Sequence, residues 1–87
     1  MKPEVSMYCT ETCRFCNAAE ALLRNKGVQD INKIYIDLDP GGRDALEEKT
    51  GRRTVPQIFV GDYHVGGYDD LSALDREGKL GPLLAGA

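Results

Sequence analysis

Residues 5–23 read VSMYCTETCRFCNAAEALL, in which a short run suited to a strand leads into two cysteines and then an amphipathic segment. The first run contains β-branched and aromatic residues and ends where cysteine and threonine cluster. Apolar residues then recur with helical spacing at positions 15, 18, 19, 22 and 23. We predict Thr12 as the N-cap of this helix and Gly27 as the left-handed residue that ends it. The two cysteines are therefore expected at the start of a helix that directly follows a strand.

A second strand and a second helix are predicted in the middle of the chain. Residues 33–38 alternate between apolar and polar side chains in the manner of a strand. Asp39 followed by Pro40 is a typical helix start, and this helix is expected to run to about Lys49 and to close at Gly51.

The C-terminal third of the chain predicts a hairpin followed by a helix. Strands over 55–60 and 63–65 are joined by the two-residue turn Gly61-Asp62, so they are expected to be antiparallel. The acidic pair Asp69-Asp70 then precedes a helical pattern that stops at Gly78.

Together these elements predict an α/β fold in one domain covering residues 1–87. The order β-α-β-α-β-β-α implies a four-stranded mixed sheet, with the first two strands parallel across a right-handed crossover. Three or more helices flank this sheet, since a last short turn is expected to begin at Pro82. A chain of 87 residues is long enough for one small core and too short for a second.

Charge and cysteine content exclude several classes of function. The chain has 14 acidic against 11 basic residues, so it presents no excess positive field for nucleic acid or anionic lipid. Residues 1–7 contain no apolar signal region, which favours the cytoplasm. Three cysteines are an odd number and do not fit a disulfide-stapled scaffold. Clustered thiols in a reducing compartment are more often catalytic, redox-active or metal-binding.

The setting of the cysteine pair favours redox chemistry. The unpaired N–H groups and positive dipole of the helix start face Cys13, and Arg14 adds a full positive charge beside it. Both effects favour the thiolate, which is the nucleophilic form of cysteine. Cys16 lies one helical turn further along with less help from the helix end, so it suits the role of a resolving thiol.

A structural zinc site is the alternative use of these residues. Cys9 and His64 could complete a set of three cysteines and one histidine with the Cys13/Cys16 pair. The helix argues against this site, because zinc-binding pairs usually lie on a tight turn. We expect Cys9 to be a small buried apolar residue, with a lesser redox role open, and His64 to be a solvent-facing strand residue.

Three sequence blocks in order resemble the glutaredoxin family, most closely its small bacterial dithiol members. The blocks are Thr12-Cys13-Arg14-Phe15-Cys16, Gly51-Arg52-Arg53-Thr54-Val55-Pro56-Gln57-Ile58-Phe59 and Gly66-Gly67-Tyr68-Asp69-Asp70-Leu71. The resemblance covers nearly the whole chain. It implies a thioredoxin-like fold and a glutathione-dependent oxidoreductase that reduces protein disulfides, low-molecular-weight disulfides and glutathione mixed disulfides. It also implies a cis Pro56 that faces the cysteine pair.

The resemblance further implies a glutathione site, with catalytic residues Cys13 and Cys16 and no metal. Glutathione carries two carboxylates and an ammonium, and the start of the third helix offers N–H groups and carboxylates to one end of it. For the glycyl carboxylate the candidates are Arg43, Arg52 and Arg53, with Arg43 preferred. The complete set of expected glutathione-binding residues is Phe15, Arg43, Thr54, Val55, Pro56, Gly67, Tyr68, Asp69 and Asp70. The expected partners are glutathione and disulfide-containing or glutathionylated proteins, and the expected state is a monomer.

The chain departs from the family pattern at two places. Arg14-Phe15 replaces the Pro-Tyr pair that is frequent between the cysteines, and Thr10 stands where a lysine is frequent. We expect Arg14 to compensate in part for that lost positive charge at the thiolate. A glutathione-ligated iron–sulfur carrier is an alternative function, but carriers typically have a small residue near the pair, so the bulky Arg14-Phe15 argues against it.

Overall fold

The computed structural model describes residues 3–86 and arranges them in four strands and four helices. A single turn of 3-10 helix, Ile36–Leu38, connects the second strand to the second helix. The predicted domain range includes residues 1, 2 and 87, which lie outside the described residues. In chain order the elements are β1 (Val5–Cys9), α1 (Arg14–Asn25), β2 (Ile31–Tyr35), α2 (Gly42–Thr50), β3 (Gln57–Val60), β4 (Tyr63–Gly66), α3 (Tyr68–Arg76) and α4 (Leu80–Leu84).

The strands form one mixed sheet in the order β2-β1-β3-β4. β1 and β2 are parallel, with Val5 opposite Ile31, and β3 is antiparallel to both β1 and β4. Gly61, at the turn between β3 and β4, has a positive φ of 60°, which favours glycine there. The predicted mixed sheet, parallel first pair and antiparallel hairpin are confirmed.

The core lies between this sheet and the helices α1, α3 and α4. Alternate residues of β1 are buried, namely Val5, Met7 and Cys9, and they share one apolar cluster with Leu23 of α1 and Leu71 of α3. Burying a leucine side chain of this kind stabilises the fold by roughly 1.5–3 kcal/mol. This packing fixes the start of α1 beside the end of β1, where the cysteine pair lies.

The boundaries of α1 differ from the prediction at one end. The N-cap is Cys13, not Thr12, and the Cys13 side chain accepts a hydrogen bond from the main chain of Cys16. The sulfur thus takes the position that a threonine hydroxyl was expected to take. At the other end, Gly27 has a φ of 94° and follows the last turn, so the predicted left-handed glycine is confirmed.

The connection from β2 to α2 is the part that the sequence pattern describes least well. The predicted strand over 33–38 ends at Tyr35, because the next three residues form the 3-10 turn. α2 begins at Gly42 with Gly41 as N-cap, so the predicted start at Asp39-Pro40 is wrong by two residues. A Cβ atom at Gly42 would collide with the main chain of Ile36, which shows how closely the two segments pack.

The remaining helix ends agree more closely with the sequence. α2 ends at Thr50, and Gly51 follows with a φ of 76°, as predicted. α3 ends before Gly78, which has a φ of 74°, and this end is also confirmed. The last helix begins at Leu80 with Lys79 as N-cap, two residues earlier than the predicted start at Pro82.

Candidate active site

The site begins with the cysteine pair at the N-terminus of α1. Cys13 has an extended backbone conformation, with φ −95° and ψ 114°, which turns its side chain back over the first helical turn. Its sulfur accepts a hydrogen bond of 3.1 Å from the main-chain N–H of Cys16. One of the N–H groups that a helix start leaves unpaired is therefore aimed at the Cys13 sulfur, where it favours negative charge.

The two thiols differ in access to solvent, and burial changes the acidity of Cys16. The Cys13 side chain is half-buried, whereas Cys16 is only 3% exposed. Burial, reinforced by hydrogen bonding to the Cys13 side chain, raises the pKa of Cys16 to about 12. Cys16 is therefore a neutral thiol at physiological pH. All three cysteines of the chain are free thiols.

Cys9 is the third thiol and belongs to the core. It is 2% exposed at the end of β1, as predicted for a small buried apolar residue. Burial raises the pKa of the Cys9 thiol, with Lys33 acting in the opposite direction. Its environment favours the neutral form, so Cys9 is poorly suited to act as a nucleophile.

A loop before β3 faces the cysteine pair. The peptide bond between Val55 and Pro56 is cis, as the resemblance implied. The Cys13 sulfur lies 3.9 Å from the carbonyl oxygen of Val55. The loop therefore presents main-chain groups next to the more accessible thiol, in a position where an extended peptide could pair with them.

A groove runs from this loop to the start of α3. It is lined by Phe15, Arg52, Thr54, Val55, Pro56, Gln57, Gly67, Tyr68, Asp69 and Asp70. Eight of the nine residues predicted for the binding site meet there. Arg43 is the predicted residue that does not line the groove, and Arg52 lines it instead. Gln57, a fully buried residue that was not predicted for the site, lies beneath the groove, and its only signal in the sequence is a polar residue within the apolar run 55–60.

One end of the groove is formed by the N-terminus of α3. The N-cap is Gly67, and its N–H donates a hydrogen bond of 2.9 Å to the Asp70 carboxylate. Arg52 contacts the same carboxylate at 3.2 Å. The Gly67 N–H, followed by Arg52, lowers the pKa of Asp70 below its ordinary value. This end therefore carries a fixed carboxylate, a guanidinium and helix N–H groups.

An aromatic pair borders the groove near the thiols. The rings of Phe15 and Tyr68 are tilted at 34° with their centroids 6.0 Å apart. The Phe15 side chain is 61% exposed although it is large and apolar. An exposed aromatic ring between the two cysteines offers a contact surface to a bound thiol compound.

Arg43 and Arg53 are engaged elsewhere. The Arg43 guanidinium donates a hydrogen bond of 2.5 Å to the carbonyl oxygen of Arg53. The Arg53 side chain pairs with Asp44 at 2.9 Å and with Glu47 at 2.8 Å, both on α2. Of the three candidate arginines, Arg52 is the one whose side chain reaches the groove.

His64 differs from the prediction of a solvent-facing residue. Its ring is half-buried, stacks on Phe59 with centroids 4.8 Å apart, and lies 2.8 Å from the side-chain oxygen of Gln57. Burial and the charge of Arg52 lower the pKa of His64, and Asp70 opposes them. The ring packs here because β4 lies beside β3, a pairing that brings positions 57, 59 and 64 together.

Within the described part of the chain, no three His, Cys, Asp or Glu side chains converge as a metal site would require. The zinc alternative needs the cysteines and His64 together, and His64 is instead bonded to Gln57. None of the helices in residues 3–86 combines the length and the apolar character needed to cross a membrane.

Comparison with known proteins places the chain among the glutaredoxins. The glutaredoxin family model matches residues 5–65. Glutaredoxin 3 of Escherichia coli strain K12 is 48% identical over 80 residues, which cover 92% of this chain and 95% of that protein. A glutaredoxin of Pseudomonas aeruginosa is 49% identical over 83 residues, which cover 95% of this chain and 98% of the relative.

Solved structures agree with these sequence relatives. A buckwheat glutaredoxin–glutathione complex superposes with a TM-score of 0.85 at 32% identity, covering 94% of this chain and 76% of that one. The solution structure of a glutaredoxin from Brucella melitensis gives a TM-score of 0.84 at 45% identity, covering 97% and 90%. The predicted thioredoxin-like fold is thereby confirmed.

Proposed function

Since the chain belongs to the glutaredoxin family and is therefore a glutathione-dependent thiol–disulfide oxidoreductase, we propose that Cys13 is its nucleophile and Cys16 its resolving thiol. The observation that supports this most directly is the hydrogen bond from the Cys16 N–H to the Cys13 sulfur. A helix N-terminus favours the thiolate, and Cys13 is the accessible thiol of the pair. Because Cys16 is buried, it attacks only the Cys13 sulfur, after that sulfur has become bonded to a substrate.

With a glutathionylated protein, the reaction needs only the first thiol. The Cys13 thiolate attacks the glutathione sulfur, the original disulfide bond breaks, and the protein leaves as a thiolate that takes a proton from water. The thiolate of a second glutathione then attacks the glutathionyl sulfur. This step releases the Cys13 thiolate and gives glutathione disulfide, so glutathione supplies the two electrons that reduce the mixed disulfide to a protein thiol.

With a protein disulfide, both thiols take part. Cys13 attacks one sulfur and forms a mixed disulfide with the protein, and Cys16 then loses its proton and attacks the Cys13 sulfur. The protein leaves as a dithiol, and two molecules of glutathione reduce the Cys13–Cys16 disulfide and become glutathione disulfide. The raised pKa of Cys16 depends in part on the neighbouring Cys13 side chain. Once that sulfur is bonded to the substrate and has lost its negative charge, ionisation of Cys16 becomes easier.

We assign the γ-glutamyl end of glutathione to the start of α3. The N–H groups of Tyr68 and Asp69 suit its carboxylate, because a helix N-terminus attracts anions. Since the Asp70 carboxylate already accepts from Gly67 and Arg52, the exposed Asp69 is the better acceptor for the ammonium group.

The central cysteine of glutathione belongs beside the loop. The main chain of Val55, between Thr54 and Pro56, can pair with the cysteinyl residue like an added strand and bring its sulfur next to Cys13. The same groups would receive the cysteine of a protein substrate. The exposed ring of Phe15 covers the apolar part of either ligand.

We propose that Arg52 contacts a carboxylate of bound glutathione, because Arg52 lines the groove. It replaces Arg43, which was the preferred candidate from the sequence. Replacing Arg52 with Gln should raise KM for glutathionylated substrate about tenfold or more, because a hydrogen bond to a charged group is worth about 1.5 kcal/mol or more. Exposed Arg76, whose side chain bonds Ser72, provides a matched control, since Arg76→Gln should leave KM unchanged. Equal KM values in wild type and Arg52→Gln would argue against this contact.

We propose that the protein acts as a monomer in the cytoplasm on disulfide-containing and glutathionylated proteins. Both thiols, the loop and the start of α3 come from one chain, so the groove needs no second copy. A thiol pair that is regenerated by glutathione also needs a reducing compartment.

A glutathione-coupled reduction assay on wild type, Cys13→Ser and Cys16→Ser tests the proposal. We expect Cys13→Ser to lose all turnover, because serine is not a nucleophile toward disulfides. Cys16→Ser should keep turnover on glutathione mixed disulfides and lose it on protein disulfides. Comparable losses in both variants on both substrates would contradict the division of roles.

A further inference from the structure

The loop that faces the cysteines is secured by side chains. Residues 52–56 belong to neither a helix nor a strand. Two successive carbonyl oxygens of this loop each accept a hydrogen bond from a side chain. Arg43 donates to Arg53 at 2.5 Å, and Gln57 donates to Thr54 at 3.1 Å. At the start of the loop, the Arg52 N–H donates to the Thr50 hydroxyl at 3.0 Å.

Gln57 is the most enclosed of these donors. It is 0% exposed, and among residues 3–86 it is the only polar or charged residue in the buried core. Burying an amide is unfavourable unless its polar atoms are paired. The Gln57 nitrogen donates to the carbonyl oxygen of Thr54 and lies 3.2 Å from the hydroxyl oxygen of that residue. A leucine or methionine would fill this position without any such requirement, so the amide is there for its hydrogen bonds.

The orientation of this amide follows from its partners. The carbonyl oxygen of Thr54 can only accept, so the Gln57 nitrogen must face it, and the Gln57 oxygen then faces His64. Because that oxygen also only accepts, the His64 Nε2 must carry a hydrogen. Stacking on Phe59 fixes the histidine ring in this position.

The hydrogen bonds from His64 to Gln57 and from Gln57 to Thr54 connect β4 to the side of the loop that faces the substrate. The carbonyl next along from Thr54 is that of Val55, which lies 3.9 Å from the Cys13 sulfur. We propose that Gln57 is a positioning residue for the thiol chemistry: its amide holds the Thr54 carbonyl and so sets how the Val55 main chain faces a bound substrate. This inference rests on the proposed role of the loop in binding the substrate cysteine.

The test compares Gln57→Met, which keeps the volume and removes the amide, with wild type in the glutathione-coupled assay. Loss of one buried hydrogen bond predicts a rise in KM for a glutathionylated peptide of about five- to tenfold. The rate of Cys13 alkylation by iodoacetamide should stay within about twofold, because this small reagent does not need the loop.

Val65→Ala is the matched control, because Val65 is a buried residue of β4 that takes no part in the side-chain hydrogen bonds of Gln57. It should lower the unfolding temperature and leave KM unchanged. His64→Phe is the second variant, since it keeps the stacking on Phe59 and removes the hydrogen bond to Gln57. Its KM for the glutathionylated peptide should rise, as in Gln57→Met.

The possible outcomes separate the two proposals. Unchanged KM in Gln57→Met, or an equal rise in Val65→Ala, overturns the positioning role. If Gln57→Met does not fold, His64→Phe decides, and an unchanged KM there overturns it. Wild type without glutathione-dependent turnover would instead refute the proposed function.

Discussion

The main-chain N–H of Cys16 donates a hydrogen bond of 3.1 Å to the sulfur of Cys13, which is the N-cap of the same helix. The side chain that caps the helix is therefore also the one that we propose as the nucleophile. A thiolate is a stronger acceptor than a hydroxyl or a thiol, so ionisation of the sulfur and capping of the helix support each other. If Cys13 is the nucleophile that we propose, its capping of the helix joins the stability of the fold to its role in the reaction.

Substitutions of Cys13 should separate capping from catalysis. Serine is a favourable N-cap, so the free energy of unfolding of Cys13→Ser should be close to that of wild type, although we expect this variant to be inactive. Cys13→Ala loses the acceptor and should be less stable by about 1 kcal/mol, or roughly 4–8 °C in Tm for a domain of this size. Calorimetry of the three reduced proteins checks this order. Equal Tm values for the serine and alanine variants would show that the side chain has no capping role.

Alkylation should distinguish the three thiols of the native protein. Cys13 is the accessible one, whereas burial raises the pKa of both Cys9 and Cys16. We expect limiting iodoacetamide at neutral pH to add a single group, at Cys13, as measured by mass spectrometry of the intact and digested protein. Denatured protein should take up three groups, which provides the control. Native labelling of Cys16 at a rate similar to Cys13 would contradict the assigned roles.

Much of the fold was predictable because its signals are local. The spacing of apolar residues in α1, the left-handed Gly27 and the turn at Gly61 each depend on a few neighbouring residues. The end of β2 was not predictable in this way. Residues 36–38 continue the strand pattern but form a 3-10 turn, and Gly42 packs against Ile36 at its start, a contact that depends on the folded chain.

The same distinction, between local sequence signals and contacts made only in the folded chain, applies to the site. The cysteine pair and the residues flanking Pro56 and Gly67 could be named from contiguous blocks, and the fold brings them to one groove. Gln57 and His64 could not be connected, because their contact depends on the pairing of β3 with β4. The sequence likewise could not show which of the three arginines reaches the groove, because this depends on the directions of their side chains in the folded chain.

Gly42 provides a test of the close contact between the 3-10 turn and α2. A Cβ atom at this position would lie 2.9 Å from the Cα of Ile36, so Gly42→Ala should destabilise the fold by about 1–3 kcal/mol despite the higher helix propensity of alanine. The neighbouring Gly41 has no atom within 4 Å of such a Cβ, so Gly41→Ala should change stability by no more than about 0.5 kcal/mol. Denaturant unfolding of both variants measures the difference. Similar stabilities would show that the segments can move apart at little cost.

Asp70 should give the fold a specific sensitivity to acid. Its pKa is lowered in the folded protein, first by the Gly67 N–H and then by Arg52, with His64 adding a smaller effect. A carboxyl group with a lowered folded pKa stabilises the native state above its unfolded pKa of about 3.9, and this contribution disappears as pH falls through the folded value. Wild type should therefore be more stable than Asp70→Asn at pH 7, and the difference in Tm should shrink toward zero at strongly acidic pH.

Salt separates the two main causes of this shift. High ionic strength screens the exposed pair of Asp70 with Arg52, whereas the hydrogen bond from Gly67 is insensitive to it. Since the hydrogen bond is the larger cause, most of the Tm difference at pH 7 should remain in about 1 M sodium chloride, where the Debye length is about 3 Å. A difference that vanished in salt would assign the effect to Arg52. A difference that did not change with pH would show that the Asp70 charge does not stabilise the start of α3.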